Sequence, residues 1–302
     1  MKLVLPRRGL EPRADALADG IDVELWSEHG PSLSADSFVC LTHPPAPWQL
    51  AALAQAPRGL LGVQVLSAGV DHLRGHVPPE VPVFRAPHLR GSATAEVAVA
   101  LTLMSVLEAP TWSDVAASQQ WRWLAPQGRV HGRNVLVLGR GGVGVGIERA
   151  MVALGAQVTM VGRAPEGLRA QALRQVPQAD IVFLALPLTE QTERLFDRDM
   201  LERMRPGALL VNVARGGLVD SDALVELLHE GRISAALDVV DPEPLPDGHP
   251  LWACPHLILS PHVGGNILID DETLSSFIAD QANRLASGGE PLHRAAPEYY
   301  AW

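Results

Sequence analysis

Cysteine and lysine are scarce in this chain. The 302 residues include two cysteines, Cys40 and Cys254, which lie far apart and outside any CxxC pattern. Neither a disulfide framework nor a thiolate metal site is therefore indicated, and a reducing cytoplasm is the expected compartment. Lys2 is the only lysine, and we attribute the arginine bias to genome composition. No metal is predicted. The remaining histidines, such as His29, His43, His72 and His76, are not spaced from carboxylates or thiols as metal ligands are.

Long basic segments and long apolar runs are missing as well. The net charge is -10 and no block of like charges occurs, which argues against binding to nucleic acid. The longest apolar stretch, residues 95–109, contains Glu96 and Glu108 and is shorter than the roughly 20 residues that a membrane-spanning helix needs. The N-terminal segment lacks the apolar core of a secretory signal. We therefore expect a soluble protein with no membrane partner, whose partners are small molecules or a second copy of itself.

Short apolar runs alternate with alanine- and leucine-rich stretches, which indicates an α/β protein. With 47% hydrophobic residues, a chain of 302 residues can form two domains, each with its own core. In the first domain, strands are predicted at residues 1–5, 37–41, 62–66 and 81–84, and a helix at 50–56. A long buried helix is predicted over 92–108, followed by a loop with Trp112, Trp121 and Trp123. We place the crossing between the domains at this helix and loop.

The second half of the chain repeats the alternation with more regular spacing. Helices are expected from Gly144, over 168–175 and over 197–204, between strands predicted at 134–138, 157–161, 180–184, 208–213, 233–238 and 257–260. Such runs build a doubly wound parallel sheet. A last helix, residues 271–286, comes too late to belong to that sheet and is expected to fold back onto the first domain.

A G-x-G-x-x-G motif joins the strand at 134–138 to the following helix. This spacing alone is a weak signal in a chain with 27 glycines, but its position between a strand and a helix strengthens it. Backbone N–H groups and the helix N-terminus can there face the pyrophosphate of a dinucleotide. The residues predicted to form this site are Gly139, Gly141, Gly142, Val143 and Gly144.

The end of the next strand bears on the choice of dinucleotide. An NAD site calls for an acidic residue about 20 positions after the glycine motif, where this chain has Gly162 and Arg163. No carboxylate is present to repel a 2'-phosphate, and Arg163 is placed to pair with one, which favours NADP over NAD. The alternative is that Arg163 is a solvated turn residue.

Three polar residues follow later strands and suit a hydride-transfer reaction. Arg215 follows the strand at 208–213 and can bind a carboxylate or carbonyl, and His262 can move a proton near neutral pH. Glu243, between two prolines, can keep a nearby histidine cationic. The alternatives are an arginine that caps the preceding elements, a histidine satisfied in the core and a glutamate in a rigid turn. Together with the dinucleotide motif, these residues indicate an oxidoreductase.

Seven segments in order resemble the D-isomer-specific 2-hydroxyacid dehydrogenases, a family that includes glyoxylate/hydroxypyruvate reductases, D-lactate dehydrogenases and formate dehydrogenases. They span nearly the whole chain: SAGVDHL (67–73), TAEVAVAL (94–101), GRGGVG (139–144), LALPLTEQT (184–192), MRPGALLVNVARGGLVD (204–220), LDVVDPEP (237–244) and LSPHVGG (259–265). The resemblance implies a Rossmann dinucleotide-binding domain, residues 92–268, inserted into a smaller flavodoxin-like α/β substrate-binding domain, residues 1–91 and 269–302. It also implies a cleft between the domains and a homodimer.

The resemblance also assigns roles to residues. Arg215 is expected to bind the substrate, Glu243 to tune the histidine and His262 to transfer the proton, while the backbone at Ala68 and Gly69 holds the substrate carboxylate. The cofactor is expected to contact the glycine motif and Gly265. Its nicotinamide half is expected to be lined by Leu186, Pro187, Thr192, Val213, Ala214 and Asp238, with Thr94 near it.

The sequence thus predicts reduction of a small 2-oxo acid, of the glyoxylate or hydroxypyruvate kind, to a D-2-hydroxy acid with NADPH, NAD remaining possible. The absence of an acid at Gly162 resembles NADP-preferring glyoxylate/hydroxypyruvate reductases. The sequence of residues 84–91 (FRAPHLRG) departs from the usual pattern of the family, so recognition of the substrate side chain is left open. Two alternatives remain: a cofactor-sensing protein resembling the corepressors of this family, and an NAD-linked dehydrogenase of D-2-hydroxy acids, formate or phosphite.

Overall fold

The chain divides into two compact units. The computed structural model describes residues 1–28, 33–42, 44–162 and 167–300. The first unit consists of Met1–Arg90 and Ile267–Trp302, and the second of Gly91–Asn266. Each unit is built around one parallel β-sheet.

The strands are short and the helices fall between them. The strands are β1 Lys2–Leu5, β2 Asp22–Leu25, β3 Ser37–Cys40, β4 Gly62–Gln64, β5 Val83–Phe84, β6 Asn134–Leu138, β7 Gln157–Val161, β8 Ile181–Leu184, β9 Leu209–Asn212, β10 Ser234–Leu237 and β11 Leu257–Leu259. The helices are α1 Pro47–Leu53, α2 Pro87–Val106, α3 Pro110–Ser118, α4 Gly142–Ala153, α5 Leu168–Gln175, α6 Arg198–Glu202, α7 Ser221–His229 and α8 Asp271–Ala286.

The first unit has the strand order β2-β1-β3-β4-β5, with every pair parallel. This is the flavodoxin-like order 2-1-3-4-5. Successive residues of a strand point to opposite faces, so Leu3 and Leu5 share one core cluster with Ile278 of α8. Val4 packs on the other face, against Leu53 of α1. The last helix therefore covers one face of this sheet, as the sequence predicts.

The second unit has the order β11-β10-β9-β8-β6-β7, again with every pair parallel. Val135 and Val137 of β6 point to the face covered by α2 and α4. Leu136 and Leu138 point to the face covered by α5, α6 and α7. Helices on both faces of a parallel sheet define a doubly wound fold, so the predicted α/β class is confirmed.

Two predictions around the long helix are wrong in detail. Helix α2 begins at Pro87, five residues before the predicted start at residue 92, and it contains Gly91. Proline is favoured at the first helical position because its φ is already helical and its missing N–H needs no partner there. The predicted tryptophan-containing loop is partly helical, since Trp112 lies within α3.

The expectation that the longest apolar stretch is too short to span a membrane does not hold for helix α2. With 20 residues and a mean hydropathy of 1.2, it is long and apolar enough to span a membrane by these two criteria alone. Core helices of soluble proteins meet the same criteria. Ala95, Ala98 and Leu101 of α2 are buried in the core cluster that faces β6, and 39% of the apolar stretch is buried.

Candidate active site

Most of the residues predicted to form the site lie just beyond the carboxyl ends of the strands of the second unit. Because all six strands are parallel, these ends lie at one edge of the sheet, where doubly wound folds bind ligands. The residues concerned are Gly139 after β6, Leu186 and Pro187 after β8, Val213, Ala214 and Arg215 after β9, Asp238 after β10, and His262 and Gly265 after β11.

The glycine motif forms a turn in which backbones approach closely. Gly139 has φ +124°, and a Cβ atom there would lie 2.2 Å from the carbonyl oxygen of Ala185. A Cβ atom on Gly144 would lie 2.0 Å from the carbonyl oxygen of Gly139. Gly141, by contrast, has open space in front of it, and α4 begins at Gly142. This open cradle before a helix N-terminus fits a dinucleotide pyrophosphate.

The end of β7 carries no carboxylate at the position of Gly162. The Gly162 carbonyl oxygen accepts a hydrogen bond of 2.9 Å from Nε2 of Gln171 in α5. Arg163, the predicted partner of a 2'-phosphate, lies outside the described residues.

Arg215 lies in a loop held by a buried asparagine. The side chain of Asn212, 1% exposed, donates from Nδ2 to the Arg215 carbonyl oxygen at 2.8 Å and accepts from the Ala214 N–H at 3.1 Å. The half-buried guanidinium donates to the Ala214 carbonyl oxygen at 2.7 Å. A Cβ atom on Gly216 would lie 2.0 Å from the backbone of Val240, so the loops after β9 and β10 are in direct contact. Asn212 is not among the residues predicted from the sequence.

His262 and Glu243, 19 residues apart in the chain, form a hydrogen-bonded pair. The contact joins Nδ1 of His262 to Oε1 of Glu243. Their side chains are 44% and 39% exposed, so His262 is not a histidine satisfied in the core. A carboxylate at Nδ1 fixes the orientation of the ring and leaves Nε2 as the atom that faces away from the pair.

Asp238 supports the turn that carries His262. Its carboxylate, on a residue only 1% exposed, accepts from Ser260 Oγ at 2.6 Å, from the Val263 N–H at 2.9 Å and from the Gly264 N–H at 2.7 Å. The Asp238 carbonyl oxygen accepts from the His262 N–H at 2.9 Å. His262 has φ +52°, a left-handed conformation uncommon outside glycine. Asp238 was predicted only as a cofactor contact, and its supporting role is seen in the structure.

Two threonines predicted near the nicotinamide lie in this unit. Thr192 donates from Oγ1 to the Pro187 carbonyl oxygen at 2.7 Å and so closes the loop after β8, where Leu186 is 9% exposed. Thr94 of α2 lies beside the His262 turn, since its methyl group would be 3.3 Å from a Cβ atom on Gly264.

The predicted carboxylate-binding residues belong to the first unit. Ala68 and Gly69 are half-buried in the loop that follows β4, where Ser67 donates from Oγ to the Gly69 carbonyl oxygen at 2.8 Å. Among the residues that the structure describes, no group of three or more His, Cys, Asp or Glu side chains is arranged to hold a metal ion.

A doubly wound sheet, an open glycine cradle and a carboxylate-paired histidine at the same sheet edge define the class of nicotinamide dinucleotide-dependent oxidoreductases. A family model described as "D-isomer specific 2-hydroxyacid dehydrogenase, NAD binding domain" matches residues 99–264. The chain belongs to the D-isomer specific 2-hydroxyacid dehydrogenase family.

The relatives cover both units. The glyoxylate reductase/hydroxypyruvate reductase of Homo sapiens is 29% identical over 97% of this chain and 96% of that protein, and the one of Mus musculus is 30% identical over 78% and 76%. A D-isomer specific 2-hydroxyacid dehydrogenase from Xanthobacter autotrophicus Py2, solved in complex with NADPH and MES, superposes with a TM-score of 0.79 at 26% identity over 98% of both chains. The protein is therefore an enzyme of the 2-hydroxyacid dehydrogenase type, with a nicotinamide dinucleotide as cofactor, and these two predictions are confirmed.

Proposed function

We propose that this enzyme reduces a small 2-oxo acid of the glyoxylate or hydroxypyruvate kind to a D-2-hydroxy acid and uses NADPH in preference to NADH. The observation that carries the proposal is the His262–Glu243 pair, at the same sheet edge as Arg215 and the glycine cradle. The names of the human and mouse relatives support the substrate class.

Substrate binding is assigned to Arg215 and to the loop after β4. A guanidinium can bind a carboxylate and polarise a neighbouring carbonyl through charge-assisted hydrogen bonds. The Asn212 hydrogen bonds support this role because they fix the backbone from which Arg215 extends. The backbone N–H groups at Ala68 and Gly69 are assigned to the substrate carboxylate, by the family resemblance.

Proton transfer is assigned to His262. When bound, the reduced nicotinamide supplies the hydride that bonds to C2 of the 2-oxo acid. Nε2 of His262 donates its proton to the carbonyl oxygen as the C–O double bond becomes single, and the products are the 2-hydroxy acid and the oxidised cofactor. Glu243 holds the Nδ1 proton and stabilises the cationic ring until then, and solvent returns a proton to His262 afterwards.

Cofactor binding is assigned to the second unit. Gly139, Gly141, Gly142, Val143 and Gly144 are assigned to the pyrophosphate, and Gly265 to the cofactor without a closer position. The nicotinamide half is assigned to Leu186, Pro187, Thr192, Val213, Ala214 and Asp238, with Thr94 near it. The NADPH preference is supported by Gly162, because position 162 carries no carboxylate that would repel a 2'-phosphate. Arg163 is proposed to pair with that phosphate.

We also propose a homodimer formed by the second unit. Trp121 and Trp123 are 85% and 89% exposed and stack edge to face, with ring centroids 6.1 Å apart. Met104 of α2 and Trp112 of α3 are also exposed apolar residues in this part of the chain. Large exposed aromatic side chains are typical of protein interfaces.

The test is the decrease of absorbance at 340 nm with purified protein, using NADPH and NADH separately with glyoxylate, hydroxypyruvate, pyruvate and bulkier 2-oxo acids. We expect turnover with NADPH, fastest with the smallest acids. Faster turnover with NADH would favour the NAD-linked alternative. Binding of cofactor without turnover on any acid would contradict the proposal and favour the cofactor-sensing alternative.

A further inference from the structure

Arg140, the second residue of the glycine motif, lies against the end of β7. Its guanidinium donates to the Met160 carbonyl oxygen at 3.1 Å. A Cβ atom on Gly162 would lie 3.1 Å from Cδ and 3.2 Å from Cγ of Arg140. Gly162 does not have a positive φ, so its backbone conformation does not require glycine. What a larger residue would meet at position 162 is the aliphatic part of Arg140.

The position of this arginine matters because of what binds there in doubly wound domains. The carboxyl end of the second strand faces the ribose 2'-position of a dinucleotide, where a carboxylate favours NAD and an arginine accommodates the 2'-phosphate of NADP. Here β7 is that strand, and Gly162 is kept in place by its hydrogen bond from Gln171. Arg140 thus places a cation where the acidic residue of an NAD site would be.

We propose that Arg140 binds the 2'-phosphate of NADPH and that Gly162 provides the space for its side chain. The inference rests on the proposed preference for NADPH. A guanidinium has five N–H donors in a planar fork, and the bond to Met160 uses one of them. The others suit a doubly charged phosphate, which accepts charge-assisted hydrogen bonds. The position is readable from the sequence, because Arg140 lies inside the motif that holds the pyrophosphate.

The test compares ligand pairs that differ in the 2'-phosphate. Dissociation constants are measured by calorimetry for NADPH against NADH, and for adenosine 2',5'-bisphosphate against AMP. In Arg140→Ala we expect affinity for the two phosphorylated ligands to fall about 10-fold or more, from the loss of a hydrogen bond to a charged group. Affinity for NADH and AMP should stay within about 2-fold. The control is Arg149→Ala, which removes an exposed arginine from α4, the helix that follows the glycine motif, and should change neither pair.

A double-mutant cycle tests the role of Gly162. In the wild-type background, Gly162→Ala should weaken NADPH binding, because the new methyl group displaces the Arg140 side chain by a few tenths of an ångström. In the Arg140→Ala background the same change should have no further effect on the NADPH constant. Equal effects in the two backgrounds would overturn the spatial coupling of the two residues.

The outcomes separate this inference from the proposed function. If wild-type protein prefers NADPH and Arg140→Ala keeps the same preference, the assignment to Arg140 is overturned and the NADPH preference stands. Equal losses for NADPH and NADH in a folded Arg140→Ala protein would also overturn it, since the residue would then support the loop and not the phosphate. If wild-type protein binds both cofactors equally, the cofactor preference and the Arg140 assignment both fail, while turnover still tests the hydride transfer.

Discussion

His262 combines a left-handed backbone with a ring held by Glu243. Non-glycine residues persist in such conformations where the surrounding structure holds them, and they are concentrated at functional sites. For His262→Ala we expect kcat to fall ~10² to 10⁴-fold, the usual contribution of general acid catalysis. The dissociation constant for NADPH, measured by fluorescence titration, should not change. An unchanged kcat would remove His262 from the mechanism.

A substitution can remove the negative charge of Glu243 and keep its hydrogen bond to His262. Glu243→Gln keeps an oxygen that can accept from the ring, but it removes the carboxylate that stabilises a cationic histidine. We expect kcat to fall about 10-fold, equivalent to about 1.4 kcal/mol in the activation barrier. Asp247→Asn is the control, since it removes an exposed carboxylate elsewhere in the same loop. Equal activity of the two variants would show that the charge of Glu243 plays no part.

The residues proposed to act on substrate were easier to single out in the sequence than those that support them. Arg215, Glu243 and His262 are polar residues in otherwise apolar or glycine- and proline-rich segments, so each is conspicuous locally. Asp238 accepts hydrogen bonds from residues 22 to 26 positions away. Such bonds depend on which strands are neighbours in the sheet, and local sequence does not contain that information. Asn212 bonds to Ala214 and Arg215, two and three positions away, so its contacts are local although its role was not predicted.

Among the elements, most strands were predictable, and two short elements were missed. β6 coincides with its prediction and β8 differs by one residue, because central strands of a parallel sheet covered on both faces are nearly continuous apolar runs. The edge strand β7 was also predicted, whereas the edge strand β2 was missed because two of its four residues, Asp22 and Glu24, are acidic. Helix α7 was missed although its signal was present, since Asp220 accepts from the Ala223 N–H as an N-cap.

The turn after β11 depends on the buried carboxylate of Asp238. In Asp238→Ala, the N–H groups of Val263 and Gly264 and the hydroxyl of Ser260 lose their acceptor. These donors are part-buried and water can partly replace the lost acceptor, so we expect the free energy of unfolding to fall by about 1–3 kcal/mol in total. The measurement is urea unfolding without cofactor, which separates this effect from cofactor binding. If Asp238→Ala unfolds at the same urea concentration as the wild type, the Asp238 carboxylate does not support this turn.

Asp270 is the N-cap of helix α8, and the stability that this cap contributes depends on pH. The backbone N–H and hydroxyl of Thr273 donate to Asp270 and lower the pKa of its carboxyl. Because the pKa is lower in the folded state, the stabilisation is present above the unfolded-state value near 3.9 and is lost as pH falls through the folded value. Asp270→Ala should therefore lower the Tm at pH 7, with a smaller difference from wild type near pH 3. The same difference at both pH values would contradict this account.

At the scale of the whole molecule, the two units repeat one construction. Both sheets are parallel, and in both the second strand along the chain lies at an edge beside the first, while later strands extend the sheet from the other side of the first. Ligands of such sheets bind beyond the carboxyl ends of the strands. This rule accounts for the position of Ala68 and Gly69 after β4 as well as for the site residues of the second unit.

The exposed tryptophans lead to the last prediction, which concerns assembly. Burying large aromatic side chains is a main source of binding energy in interfaces, and loss of one such anchor typically costs 2 kcal/mol or more, about 30-fold in Kd. We expect light scattering to give twice the 32.4 kDa mass of the chain. Trp121→Asp combined with Trp123→Asp should shift the protein to monomer at micromolar concentration. Trp252→Asp, which changes a tryptophan 59% exposed outside this segment, should remain dimeric. A dimer unaffected by the double substitution would exclude this segment from the interface.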